Sequence, residues 1–407
     1  MYAVRMGKKG HPASQLKIDG TVTVWSNSYD TPTGYGVQTK YLIDRLMRHK
    51  ANTAMLSNFG HQGQVSTINT PYGDVRHYPM GVDAYSQDVA PIDHMSFAKQ
   101  FQVKDIMLSL YDVWVMSSPY YDQIDKVASW TPLDHITMPP KVEAWLRRDN
   151  VLPIAMSPFG HQQMNEKQID NVYIPHGVET NVLKPTEKLP NGQHIRDYMQ
   201  TGDKFVVGMV AANKASGLIH RKAFSENILA FSLFHKQHPD SVLYIHTEPT
   251  NTRLGWNLLE LVRGCGLPKE AVIFPNTTEY RYGIPQEQLA ALYTGMDVLL
   301  APSYGEGFGV PTVEAQACGT RVIGSAWAAT QDLVSDDGWL IDGQPQWDNS
   351  QLAWWSIPNV QSIQKSLNEA YDAPRERSEV SQKFAKQFDV DKIWYEKWLP
   401  FFKTHLG

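Results

Sequence analysis

Short β-branched or apolar runs alternate along the chain with longer stretches whose apolar residues recur three or four positions apart. Thr21–Trp25 reads as a strand. Val37–His49 then reads as a helix, with Tyr41, Leu42, Leu46 and Met47 on one face. Asp105–Leu110, Lys126–Trp130, Leu152–Met156 and Val172–Ile174 read as further strands. The second half repeats the rhythm. Phe205–Ala211, Ser241–His246, Val272–Phe274, Asp297–Ala301 and Arg321–Ile323 are strand-like, separated by helical patterns over Lys222–His235, Leu258–Cys265, Pro285–Gly295 and Pro311–Cys318. Strands alternating with helices predict α/β architecture: two doubly wound parallel sheets. The boundary is expected within Lys184–Asp203, where Pro185, Pro190, Asn191, Gly192 and Gly202 gather. A last helix near Val390–Thr404 places Trp394, Trp398 and Phe401 on one buried face.

Composition narrows the class. Of 407 residues, 42% are hydrophobic and 19% charged, which is enough apolar material for large cores and excludes a mostly disordered chain. A net charge of −5 argues against a globally basic nucleic-acid binder. Charge is uneven, however: residues 1–50 hold eight Lys/Arg against three Asp/Glu. That opening is either a solvated tail or an attractor for an acidic acceptor. Cys265 and Cys318 are too few for a disulfide framework. No run of about 18 apolar residues occurs, and Met1–Ser14 lacks the apolar core of a secretory signal. The expectation is a cytoplasmic enzyme with no integral membrane association; a peripheral surface helix stays open.

The candidate chemistry lies in residues 298–324, VLLAPSYGEGFGVPTVEAQACGTRVIG. A strand runs into a loop with Gly305, Gly307 and Gly309, and Pro311 stands where a helix opens. Gly319 follows where a C′ glycine belongs. Free N–H groups and the helix dipole favour an anion at such a helix start, at the strand edge where open α/β sheets bind ligands. Glu306 in the loop and Glu314 in the first turn flank that site. Capping alone explains Glu314. Glu306 has no such explanation, and a carboxylate beside a phosphate site suggests recognition of sugar or ribose hydroxyls.

Glu306 to Glu314, within E-G-F-G-x-P-x-x-E-A-x-A-C-G, resembles the E-x7-E signature of the retaining glycosyltransferases of family 4. The resemblance covers about residues 20–405. Leu292-Tyr293 to Asp297-Val298 resembles the stretch before the motif, and Phe388-Asp389-Val390-Asp391 with Trp394 the start of the final helix. Ile174-Pro175-His176-Gly177-Val178-Glu179 is similar to the family's P-N-G-V-D segment, with His176 in place of Asn. The resemblance implies the GT-B fold, two Rossmann-like domains facing a cleft. It divides the chain into an acceptor-binding domain (1–190), a nucleotide-sugar-binding domain (191–385) and a helix crossing back (386–407).

Site roles follow from the same resemblance. Glu314 would hold the donor ribose, and Glu306 the hydroxyls of the donor sugar. Backbone N–H groups of Phe308, Gly309 and Val310, with Gly307, would lie against sugar and diphosphate. Lys222, in His220-Arg221-Lys222-Ala223, resembles the lysine that clamps the diphosphate. The family's arginine after the glycine of this domain's first strand is absent, since Met209 follows Gly208; Arg221 would supply that charge. Thr31-Pro32-Thr33-Gly34-Tyr35-Gly36-Val37 resembles the glycine loop before the first helix, which makes Gly34, Tyr35 and Gly36 donor-binding candidates. Pro132-Leu133-Asp134-His135 resembles the region whose histidine contacts the donor sugar.

No cofactor and no metal are expected. Asp389-Val390-Asp391 matches a D-x-D metal motif, but Asp389 reads better as a helix N-cap. The fourteen histidines show no zinc-like spacing with carboxylates. Trp339, Trp354 and Trp355 either pack or line a sugar site. The function implied is transfer of a hexose, glucose favoured, from a nucleoside diphosphate sugar, UDP-sugar favoured, to a hydroxyl with retention. Glu306, His135, Lys222 and Arg221 are the catalytic candidates. The opening loop and Pro153–Pro158 resemble a phage-encoded subgroup, so partners include a 5-hydroxymethylated pyrimidine of phage DNA beside a glycan or lipid acceptor. A sugar-nucleotide epimerase and a non-catalytic sugar-nucleotide-binding module are the readings of another class.

Overall fold

A computed structural model describes residues 17–215, 219–250 and 254–407. The basic opening Met1–Ser14 lies outside the described residues. The strands of the described residues are, in chain order, β1 Thr21–Asn27, β2 Asn52–Phe59, β3 Ser66–Thr70, β4 Gly73–Tyr78, β5 Asp105–Leu110, β6 Val127–Thr131, β7 Val151–Ala155, β8 Val172–Tyr173, β9 Phe205–Val210, β10 Ser241–His246, β11 Val272–Ile273, β12 Val298–Leu300, β13 Arg321–Ser325, β14 Trp339–Ile341, β15 Gly343–Asp348 and β16 Ala353–Pro358. They form an eight-stranded sheet ordered β3-β4-β2-β1-β5-β6-β7-β8, a six-stranded sheet ordered β11-β10-β9-β12-β13-β14, and the ribbon β15-β16. In the first sheet β3 pairs antiparallel with β4, while β1, β2, β4 and β5 and the pairs β5-β6 and β7-β8 run parallel; the six-stranded sheet is parallel.

The described chain packs into two compact units. Of the described residues, one holds 17–130, 148–152 and 394–407; the other holds those within 131–147 and 153–393. The Lys184–Asp203 stretch therefore lies inside the second unit.

In the first unit, Val22, Val24 and Trp25 of β1 are wholly buried, as expected of a central parallel strand covered on both faces. The following helix spans Gly34–Arg48 and starts three residues before the predicted Val37. The cause is local: the Thr33 hydroxyl accepts from Gly36 N–H at 3.1 Å, a capping bond that fixes the start. Gly34, Tyr35 and Gly36 are thus the first helical residues rather than a loop. Near the C-terminus, Trp394 packs on His49 with ring centroids 5.2 Å apart, and Trp398 meets Trp130 edge-on at 4.9 Å. Trp394, Trp398 and Phe401 are buried, matching the predicted face. The helix is not continuous. A π turn, Trp394–Trp398, sits between Val390–Ile393 and Leu399–Leu406, just where Pro400 cannot donate to the ladder.

In the second unit the core forms where β9, β10, β12 and β13 meet the helices Phe224–His235 and Val360–Asp372, with Val207, Phe231, Phe234, Leu243, Val298 and Leu367 at its centre. The helix predicted from Lys222 begins at Phe224, because Ala223 takes a left-handed conformation with φ 50° and breaks the ladder. Arg221 and Lys222 thereby stay in the turn before the helix. Asp389 caps as predicted: its Oδ1 accepts from the N–H groups of Asp391 and Lys392, each at 3.1 Å. Among the described residues no helix is long and apolar enough to cross a membrane.

Candidate functional site

The six-stranded sheet reverses its strand order between β9 and β12. Chain from β9 proceeds outward through β10 to β11, and chain from β12 proceeds the other way. The loops leaving the C-terminal ends of these two strands diverge and leave a crevice, the usual ligand position in open α/β sheets. The loop after β9 ends in Arg221 and Lys222. The loop after β12 carries Glu306.

These three residues meet. Glu306 accepts from Lys222 Nζ at 2.5 Å on one carboxylate oxygen and from Arg221 Nη1 at 2.9 Å on the other. Arg221 Nη1 also donates to the Gly305 carbonyl and lies 3.7 Å from Asp134. Burial pushes the Glu306 carboxyl up, but Arg221 and Lys222 outweigh it and hold the carboxyl below its ordinary value. Burial, helped by Arg221, pulls the Lys222 ammonium below its ordinary value against the opposing pull of Glu306. Two cations thus face the two carboxylates Glu306 and Asp134. An entering anion finds cations already shared, not unpaired ones.

The glycines of this loop have separate reasons. A Cβ on Gly305 would stand 2.1 Å from the Asp134 carbonyl oxygen, and one on Gly307 would stand 2.3 Å from Pro132 Cβ. Both are glycine because the segment 132–134 packs directly against the loop. Gly309 alone needs glycine for its backbone, with φ 105°, and it caps the helix Val310–Ala317. Pro311 sits in the first turn as predicted, and Gly319 takes φ 75° after the helix end. The N–H groups of Phe308, Gly309 and Val310 precede or open that helix. The Phe308 ring is buried edge-on against His176, centroids 5.2 Å apart.

Glu314 is the fifth residue of the helix and lies beyond its first turn, which contains no acidic residue. The capping reading of Glu314 therefore falls away. Its carboxylate is buried and accepts from the Tyr293 hydroxyl at 2.8 Å. Burial raises the Glu314 carboxyl to about 7, and the Tyr293 hydrogen bond offsets only part of this.

His135 joins the cluster through Asp134. Its Nδ1 lies 2.7 Å from Asp134 Oδ1 and its Nε2 3.3 Å from Asp348 Oδ2. The ring stacks on Trp355, centroids 4.7 Å apart and planes 21° from parallel. Both nitrogens face carboxylates. Burial raises the Asp134 carboxyl, but the hydrogen bond and charge of His135, with Arg221, hold it below its ordinary value. Charges therefore alternate from Lys222 through Glu306 and Arg221 to Asp134, and His135 lies between Asp134 and Asp348.

All of these side chains belong to the second unit. Gly34, Tyr35 and Gly36 belong to the first, at the start of its first helix. The sequence reading missed Asp348, the Tyr293 hydrogen bond and the stack of Trp355 on His135. Trp355 is buried and packs, whereas Trp354 is half-exposed against Trp347. Asp134 was legible as the neighbour of His135. Nothing in the sequence pointed to the ribbon that brings Asp348. Among the described residues, no three His, Cys, Asp or Glu side chains cluster as metal ligands.

Residues 192–353, the stretch that carries the cluster apart from Asp134 and His135, match the family model described as glycosyl transferases group 1. A D-inositol 3-phosphate glycosyltransferase of Xylanimonas cellulosilytica is 34% identical over 111 residues, 27% of this chain and 23% of that protein. The chain thus spans about a quarter of the length of this curated relative. Sucrose-phosphate synthase from Thermosynechococcus elongatus superposes with a TM-score of 0.71 at 18% identity, covering 95% of this chain and 99% of that one. An Anabaena protein solved in complex with UDP and glucose superposes with a TM-score of 0.63 at 16% identity, covering 94% and 99%. These likenesses establish the fold as GT-B.

Proposed function

We propose that this protein transfers a hexose from a nucleoside diphosphate sugar to an acceptor hydroxyl, with the anomeric configuration retained. The observation that carries the reading is Glu306 held between Lys222 and Arg221 at the switch point of the six-stranded sheet, with Glu314 buried on the adjoining helix. A carboxylate fixed by two cations is an ordered acceptor for sugar hydroxyls. The same cations, with the N–H groups opening the helix Val310–Ala317, stabilise charge developing on a departing diphosphate. In the reaction the bond from the anomeric carbon to the diphosphate oxygen breaks, and a bond to the acceptor oxygen forms on the same face. The acceptor proton passes to the leaving phosphate. Glu306, already occupied by both cations, serves in binding rather than as a nucleophile.

UDP-glucose is the first donor to test, since the Anabaena neighbour was solved with UDP and glucose. For the acceptor, a hydroxymethylated DNA base, a glycan and a lipid are the expectations. The test is release of UDP from UDP-glucose, with EDTA present, and assignment of the product anomer by NMR. An α-linked product from the α-linked donor is expected, with activity undiminished by EDTA. An inverted product, or no binding of any nucleoside diphosphate by calorimetry, would overturn the reading.

A further inference from the structure

Arg221 and Lys222 stand in a turn that the chain does not favour by itself. Ala223, which follows them, has φ 50°. A Cβ disfavours that conformation, and it persists only where the surroundings hold it. The loop that carries Glu306 supplies the hold, through Tyr304. The Tyr304 N–H donates to the Arg221 carbonyl at 2.8 Å. Its ring forms one buried apolar cluster with Ala223 and Trp355. Its hydroxyl donates to Glu226 Oε1 at 2.9 Å, in the first turn of the helix Phe224–His235. Ser225 Oγ donates to the other oxygen of Glu226, also at 2.9 Å. Tyr304 thus meets the turn before, at and after the strained residue. It also joins the ribbon: its carbonyl accepts from the Ser356 N–H at 3.0 Å, and its ring meets Trp355, which stacks on His135.

The side-chain bonds of Arg221 and Lys222 to this loop end on Glu306 and on the Gly305 carbonyl. A sugar hydroxyl on Glu306, or a diphosphate on the two cations, competes for the ion pairs among them. The bond from Tyr304 to Glu226 uses none of those groups, so a ligand leaves it in place. Burial and the charge of Glu226 push the Tyr304 hydroxyl well above its ordinary pKa, which keeps it a donor. Asn227 Nδ2 adds a second brace, donating to the Lys222 and Pro302 carbonyls at 3.3 and 3.0 Å. Asn227 is wholly buried, so its loss would disturb the core. The Tyr304 hydroxyl is the brace that can be removed while the ring stays packed.

We infer that Tyr304 is a positioning residue for the transfer step: its bond to Glu226 holds the turn that presents Arg221 and Lys222 to a departing diphosphate. The inference rests on the sugar-transfer reading above. Its test compares the full chain with Tyr304→Phe, Glu226→Ala and the double variant, in steady-state release of UDP from UDP-glucose. Each single change should lower kcat about tenfold, with the donor KM held within about twofold, because the loss is one of alignment. The double variant should be no slower than the slower single, since both remove the same bond. Glu226→Gln, which still accepts from the hydroxyl, should recover most of the rate. A general loss of stability would instead lower the unfolding midpoint and add up in the double variant. An unchanged kcat in Tyr304→Phe, a loss of about a hundredfold in the double variant, or a raised KM with kcat intact would each overturn the inference alone. A wild-type chain that binds no nucleoside diphosphate in calorimetry would overturn the transfer reading, and this inference with it.

Discussion

Tyr293 donates its hydroxyl to Glu314 at 2.8 Å inside the second unit, and this single bond restrains a carboxyl that burial has raised to about 7. The two residues come from different helices, Gln286–Gly295 and Val310–Ala317. If the ionised carboxylate is the form that accepts ribose hydroxyls, the dissociation constant for UDP falls as pH rises through about 7. Tyr293→Phe removes the bond that lowers the Glu314 pKa, so the inflection moves to higher pH. The sign for stability is opposite. A carboxyl raised above its unfolded value favours the native state below the unfolded pKa, and that contribution is lost as pH rises toward about 7. Calorimetric titration of UDP between pH 5.5 and 8.5, in wild type and variant, checks both the inflection and its direction.

Glu306→Gln keeps the shape of the side chain but leaves Lys222 and Arg221 without the shared counter-charge. The turnover of donor should fall about 100-fold or more, the loss of roughly 3 kcal/mol typical of a preorganised electrostatic contact. Steady-state release of UDP measures it. Retention of near wild-type turnover would remove Glu306 from both binding and covalent roles.

Asp348→Ala removes one of the two carboxylates that flank His135. Asp348 meets His135 at Nε2, whereas Asp134 meets it at Nδ1. Its effect is therefore one of position: kcat/KM for the donor should fall about tenfold, less than in Glu306→Gln, because small misplacements of an aligned group are costly. Asp348→Asn, which still accepts a hydrogen bond, should recover part of the loss. Equal losses in Ala and Asn would show that the negative charge matters rather than the placement.

Gly305→Ala puts a methyl group 2.1 Å from the Asp134 carbonyl oxygen, where neither backbone gives way easily. Destabilisation of about 1–3 kcal/mol is expected, as in other overpacked sites. Gly34→Ala is the counterpart. A Cβ there meets nothing within 4 Å and the backbone is helical, so stability should hold or rise by about 0.5 kcal/mol. Urea denaturation of the two variants separates a glycine kept for packing from one that packing does not require.

The sequence by itself determined five of the six strands of the six-stranded sheet, because most of these parallel strands are buried apolar runs bounded by turn residues; β14, Trp339–Ile341, went unread because it is short and only one of its three residues is buried. Ser241–His246 matched to the residue, and β9, β12 and β13 to within two. It also determined the loop of Glu306, the Pro311 start and the Gly319 end, since proline and glycine act through local backbone geometry. Strand β2 and the hairpin β3-β4 went unseen: Asn52–Phe59 mixes Asn, Thr, Ala, Met and Ser, and it is buried by its neighbours rather than by its own composition. The start of the helix at Gly34 was hidden because glycine reads as a loop until the Thr33 cap is known to hold it. Only the tertiary structure decided the surroundings of the charged residues. Glu306, Arg221, Asp134 and Asp348 are separated by 85, 87 and 214 positions in turn, and no local pattern encodes such a meeting. Their protonation follows from burial and from one another, quantities that exist only once the chain has folded.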